Sequence, residues 1–108
     1  MDPDLPAINP PPAFPGRVFV YILICPDGSF CVGSAKDVGR RIRLRQTGRG
    51  TKFTHDHATV KLVYFEGPFD LTEAVRREFQ LKRWSRAKKL ALIRGNGAML
   101  KTLSQSRE

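Results

Sequence analysis

Five side chains in this 108-residue sequence have the type and setting to do chemistry. Tyr21 lies within Val18-Phe19-Val20-Tyr21-Ile22-Leu23-Ile24-Cys25, a β-branched and aromatic run suited to a buried strand. Arg41 and Arg45 stand four residues apart, one helical turn, and so share a side where a phosphate can be gripped. Glu78 falls near the middle of an apolar arc that helical spacing gives to Ala74, Val75, Phe79 and Leu81. A carboxylate there is expensive to bury without a partner. An arginine in a core salt bridge and a metal ion both fit, and the pattern alone leaves the two open. Cys31 is the fifth, but as a thiol it is a weak hydrogen-bond partner and reads best as a small apolar filler. Taken alone, Tyr21 reads as an ordinary half-buried strand tyrosine.

Other constellations are weaker. Cys25 and Cys31 are the only cysteines, too few for a zinc site. His55 and His57, spaced i, i+2 in a polar Thr-His-Asp-His stretch, read as solvated loop. The basic loop Gly48-Arg49-Gly50-Thr51-Lys52 can wrap a phosphate with backbone N–H groups. It lacks the strand–loop–helix setting of a nucleotide-binding loop, and a nucleotide site is excluded.

The elements that must hold these residues follow from local signals. Cys25-Pro26-Asp27-Gly28 places Pro and Gly at the second and fourth positions of a type I turn. A three-residue loop with Gly28 left-handed pairs Cys25 with Ser29, Leu23 with Cys31 and Tyr21 with Gly33. Tyr21, Leu23 and Cys31 then share one face of the sheet. Asp37 is a natural N-cap for a helix through about Gln46, with Val38 and Ile42 on its apolar side. Val60 to Phe65 predicts a third strand, ended by the breaker Gly67-Pro68. Asp70 or Thr72 caps a second helix to about Arg83, and Ser85 caps a third that stops at Gly95. The order β-β-α-β-α-α predicts an α+β fold, a small three-stranded and mainly antiparallel sheet flanked by helices.

Residues 17–95 form the expected domain. Residues 1–16 hold six of the eight prolines and no basic residue, which predicts a disordered tail. Residues 96–108 are expected to form a flexible polar tail. Nineteen Lys and Arg against ten Asp and Glu give a net charge of +9. Lys36 to Lys52 carries a net +6 and Arg76 to Arg94 a net +7. Charge concentrated on two segments favours a face for a polyanion, nucleic acid above all, with Lys36, Arg40, Arg45, Arg49, Lys52, Lys82 and Arg86 as its contacts. No signal peptide or membrane-length apolar span is present, so a cytoplasmic monomer with free thiols and no membrane partner is expected.

Phe19-Val20-Tyr21, Cys31-Val32-Gly33, Ser34 to Asp37 with Arg40-Arg41, and Thr72 to Glu78 with Lys82 to Lys89 resemble, in order and spacing, the GIY-YIG nuclease domain. The likeness covers roughly Val18 to Arg94 and is closest to short stand-alone bacterial proteins similar to the catalytic domain of the excinuclease UvrC. It implies metal-dependent hydrolysis of a DNA phosphodiester. On that resemblance Tyr21 is the general base, Arg41 the phosphate clamp, and Glu78 the ligand of one divalent cation, Mg²⁺ or Mn²⁺. A phenol is a poor base at neutral pH, so the chemistry asks for positive charge close by.

The sequence departs from the family pattern in three places. Cys31 stands where the second motif usually begins with tyrosine, Arg45 where relatives often have histidine, and Phe53 where tyrosine is common. Arg45 binds phosphate but cannot shuttle a proton near neutral pH. These departures keep an alternative in view, a nucleic-acid-binding module that retains the scaffold and has lost most catalysis.

Overall fold

The hairpin forms in the register its turn residues dictate. In the computed structural model, which describes residues 5–46, 60–95 and 97–98 without the side chain of Gln46, β1 (Val18–Ile24) and β2 (Phe30–Ala35) run antiparallel with Tyr21 opposite Gly33 and Leu23 opposite Cys31. Gly28 takes φ +89° and donates its N–H to the Cys25 carbonyl at 2.8 Å, while the Cys25 N–H donates to the Ser29 carbonyl at 2.9 Å. Only glycine adopts that backbone at no steric cost.

Four further elements follow: α1 (Val38–Gln46), β3 (Lys61–Phe69), α2 (Leu71–Lys82) and α3 (Arg86–Ile93). The sheet order is β2-β1-β3, antiparallel throughout, so β1 is central and β2 is an edge strand. The fold is α+β, as expected. Strand alternation in β1 divides the core into two faces. Phe19, Tyr21 and Leu23 pack with Val38 of α1 and Leu62 of β3. Val18 and Val20 pack on the other side against Ala74 and Leu81 of α2, and Ile22 meets Leu90 and Ile93 of α3.

Each helix starts where a side chain satisfies its free N–H groups. The Arg40 N–H donates to Asp37 Oδ1 at 3.0 Å. Asp70 and Glu73 form a reciprocal capping box at 2.8 and 3.1 Å. The Lys88 N–H donates to Ser85 Oγ at 3.1 Å, and Gly95, at φ +69°, closes α3 by donating to the Leu92 carbonyl.

Three expectations need correction. First, β3 does not stop before Gly67-Pro68 but runs through it to Phe69, with a bulge that sets Glu66 opposite Val20 and Phe69 opposite Val18. A Pro is tolerated there because β3 is an edge strand and the bulge absorbs the extra residue. Second, α2 does not bury Val75 and Phe79. Its inward side is Ala74 and Leu81, while Val75 and Phe79 are more than half exposed. Third, the Pro-rich segment is not a free tail from Leu5 onward. Leu5 is buried with Ile22 and Val63, the Ile8 N–H donates to the Leu62 carbonyl at 2.9 Å, and Pro10 rests on Gly39. The segment thus crosses the edge of β3 and supplies a polar partner to it. Of the expected C-terminal tail, only residues 97–98 fall among the described residues.

Candidate active site

Tyr21 projects from the central strand, and its ring crosses β2 at Gly33. A Cβ at position 33 would lie 2.6 Å from the Tyr21 hydroxyl and 2.7 Å from Cζ. Glycine at 33 is therefore what gives the phenol its place. The ring itself is buried, against a wall that includes the edge-to-face pair Phe19 and Phe65 at 5.9 Å. The hydroxyl is thus delivered from the core strand to the edge strand.

Ser34, the next residue of β2, points to the opposite face, where α2 lies. Its hydroxyl donates to Glu78 Oε1 at 2.7 Å, and its carbonyl accepts from Arg41 Nη1 at 3.5 Å. One residue of the edge strand thereby ties Arg41 of α1 to Glu78 of α2. The other carboxylate oxygen, Oε2, pairs with Lys82 Nζ at 2.9 Å, one helical turn on. Burial by itself would raise the Glu78 carboxyl. The hydrogen bonds from Lys82 and Ser34 and the charges of Lys82 and Arg41 outweigh it and hold the group below the usual carboxylate range. Glu78 is ionised at neutral pH and faces positive charge on two sides.

Among the described residues no three of His, Cys, Asp and Glu gather in one place. That donor set does not suit zinc, which takes three or four protein ligands. It does suit Mg²⁺ or Mn²⁺, which bind through one or two carboxylates together with water and substrate phosphates. Glu78 is the residue that would hold such an ion.

The other expected contacts separate into three groups. Lys36 and Arg40 are exposed and line one depression with Ser34, Arg41, Leu44 and Leu71. Arg45 instead leans toward the hairpin end, with Nη2 4.0 Å from Cys25 Sγ, and Lys82 is taken by Glu78. Arg86 has a structural task, since Nη1 donates to the Gly28 carbonyl at 2.8 Å and the guanidinium lies 4.4 Å over the Phe30 ring. Arg49 and Lys52, with the rest of the glycine-containing basic loop, Phe53, His55 and His57, lie outside the described residues.

Cys31 occupies the face of Tyr21, partly buried beside Cys25, and both thiols are free. Burial and the contact with Cys31 push the Cys25 thiol up to about 11, against a weaker opposing pull from Arg45. The Cys25 thiol is not built as a nucleophile.

Two features escaped the sequence. Ser34 is one, and the signal for it was its place directly after Gly33, on an edge strand between two helices. The arginine–carboxylate pair is the other. Glu66 makes it rather than Glu78, accepting from Arg77 Nε at 2.6 Å on Oε1 and from Nη2 at 3.1 Å on Oε2. Tyr64 also donates to Glu66, and burial together with that carboxylate pushes its phenol up to about 12.

The profile of the GIY-YIG catalytic domain matches residues 17–91. UPF0213 proteins of Staphylococcus aureus strains Mu3 and Mu50 are each 45% identical over 76 residues, which is 70% of this chain and 93% of theirs. The solution NMR structure of a UPF0213 protein from Bacillus halodurans is 37% identical, covers 80% of this chain and 93% of its own, and superposes with a TM-score of 0.49.

Proposed function

The chain belongs to the GIY-YIG catalytic-domain family and groups with the UPF0213 proteins, and from that premise we propose that it is a divalent-metal-dependent endonuclease acting on DNA. The family supports nuclease-type function and nucleic-acid binding in general. The observation that carries the finer reading is the link through Ser34, which holds Arg41 and Glu78 together one residue from the place of the Tyr21 hydroxyl.

Phosphodiester hydrolysis needs a water relieved of its proton, charge neutralised on the phosphorane, and help for the departing oxygen. Tyr21, in its phenolate form, takes the proton from the attacking water and becomes the phenol. Arg41 grips the scissile phosphate, its side chain already steered by the Ser34 carbonyl. Glu78 would hold one Mg²⁺ or Mn²⁺, and that ion would supply positive charge to the oxygens that gain charge in the reaction. Lys36 and Arg40 bind flanking phosphates, and Lys82 compensates the Glu78 charge. The protein works as a cytoplasmic monomer in this reading.

The second reading, a binding module without turnover, draws on Cys31, which leaves the tyrosine position of the second motif without a hydroxyl. Nicking of supercoiled plasmid separates the two. With Mg²⁺ or Mn²⁺ the relaxed form is expected to accumulate, and a chelator is expected to stop it. Plasmid that is retained on the protein but stays supercoiled under all metals leaves the binding module as the function.

A further inference from the structure

Among the described residues, Ile8 and Phe14 of the N-terminal segment and four residues of α1 and α2, Leu44, Leu71, Val75 and Phe79, expose large apolar side chains, and these four lie on the two helices that carry Arg41 and Glu78. Leu71, Val75 and Phe79 follow one another at one-turn intervals along α2 and are 67%, 56% and 63% exposed. Leu44 of α1, 41% exposed, joins Leu71 in lining the depression that contains Ser34, Arg40 and Arg41. Helical spacing sets Leu71 and Val75 on the side of Glu78 and Lys82, and the row winds around α2 until Phe79 stands level with Glu78 on a neighbouring side. At its far end the Arg83 guanidinium lies 5.7 Å over the Phe79 ring.

Resting on the nuclease reading, we infer that this row is a platform for the unpaired bases of single-stranded DNA, and that the substrate is single-stranded where it crosses α2. Duplex DNA presents phosphates to a protein surface, and cations and polar donors meet it there. It gives no reason to expose three large apolar groups in line. An unpaired strand offers base faces as well as phosphates, and an aromatic ring flanked by arginines receives both. Self-association through this face would bring Arg76, Lys82 and Arg83 of one copy against those of another, and like charges oppose that contact.

The test is equilibrium binding by fluorescence anisotropy, with chelator present so that nothing is cut. Three labelled probes are used: a single strand, its blunt duplex, and a strand of abasic sites carrying the same phosphates. The intact protein is expected to favour the single strand over both other probes by about tenfold or more. Phe79→Ser, a change at an exposed position, should weaken single-strand binding by about fivefold to a hundredfold and leave the duplex unaffected. Val75→Ser should act in the same direction, and melting curves confirm that both variants fold.

Several results would overturn the platform. One is variants that lose nothing on the single strand, and another is variants that lose equally on strand and duplex. A third is a dimer in sedimentation that Phe79→Ser dissociates. Tight duplex binding with no preference for the single strand removes this inference and spares the nuclease reading. Failure to bind any of the three probes removes both.

Discussion

Tyr21 and Gly33 face each other across the β1–β2 ladder, and the tyrosine hydroxyl lies only 2.6 Å from where a side chain at position 33 would begin. The second motif's glycine is therefore the other half of the first motif's tyrosine. Gly33→Ala must displace the ring, at an expected cost of about 1–3 kcal/mol. In a Tyr21→Ala background the same change should cost less than about 0.5 kcal/mol, because nothing is left to displace. Urea unfolding of the four proteins measures this coupling. Equal costs in both backgrounds would mean that position 33 is glycine for another reason.

On the proposed function, the basic residues divide into those that meet phosphate and those that hold the fold. If about six phosphates are contacted, affinity for DNA falls roughly a thousandfold between 50 and 200 mM salt. Arg41→Ala should lower the slope of that dependence by about one unit. Arg86→Ala should leave the slope alone and lower stability by about 1–2 kcal/mol, through the lost contact with Phe30 and the lost bond to Gly28. Salt titrations and melting curves of the two variants check this. An Arg86→Ala protein of full stability and reduced slope would return that residue to the binding face.

Glu78 titrates below its ordinary value of 4.5 in the folded chain. As pH falls through 4.5 the unfolded chain takes up this proton first. The contribution to stability is therefore present above 4.5 and fades below it. Its partner Lys82 is 55% exposed, so the ion pair is screened and contributes about 1 kcal/mol at most. Glu78→Gln should cost no more than that at neutral pH, flatten the stability curve below 4.5, and abolish cleavage. A loss of about 3 kcal/mol or more would mark Glu78 as half of a buried pair instead.

Cys31 is where the hydroxyl of the second motif is missing. It shares the face of Tyr21 and pairs with Leu23, two residues along the sheet. Cys31→Tyr is expected to raise metal-dependent cleavage by about 10–100-fold, no more than the full worth of one well-placed donor. Tyr21→Phe in the same chain should remove the gain, and Cys31→Ser, too short to reach, should change little. Initial nicking rates measure all three. Flat cleavage in Cys31→Tyr with loss in Cys31→Ser would make the thiol itself functional.

Much of this architecture was legible where a local signal acts alone. Pro26 and Gly28 set the hairpin register, and Asp37, Asp70 and Ser85 set the helix starts. Tertiary context decided the rest. Gly67-Pro68 looks like a strand end until an edge position and a bulge accommodate it. Val75 and Phe79 have the spacing of a core face, yet the sheet needs only Ala74 and Leu81 from that helix. Leu5 sits in a segment with no periodicity, and nothing in its neighbours announces that it fills a gap beside Ile22 and Val63. Ser34 gave no signal beyond its place directly after Gly33, because its importance lies in joining two helices that sequence places far apart.

On the proposed function Tyr21, Arg41 and Glu78 act as one unit around the edge of β2, and the test of that unit is whether their losses fail to add. Metal-dependent nicking rates are compared for Tyr21→Phe, Arg41→Ala, Glu78→Gln and the triple variant. Residues that act together lose nearly all of the effect at the first removal, so each single variant should fall close to the rate of the triple. Three modest losses that simply multiply to the triple, or full activity in any of the singles, would contradict the account.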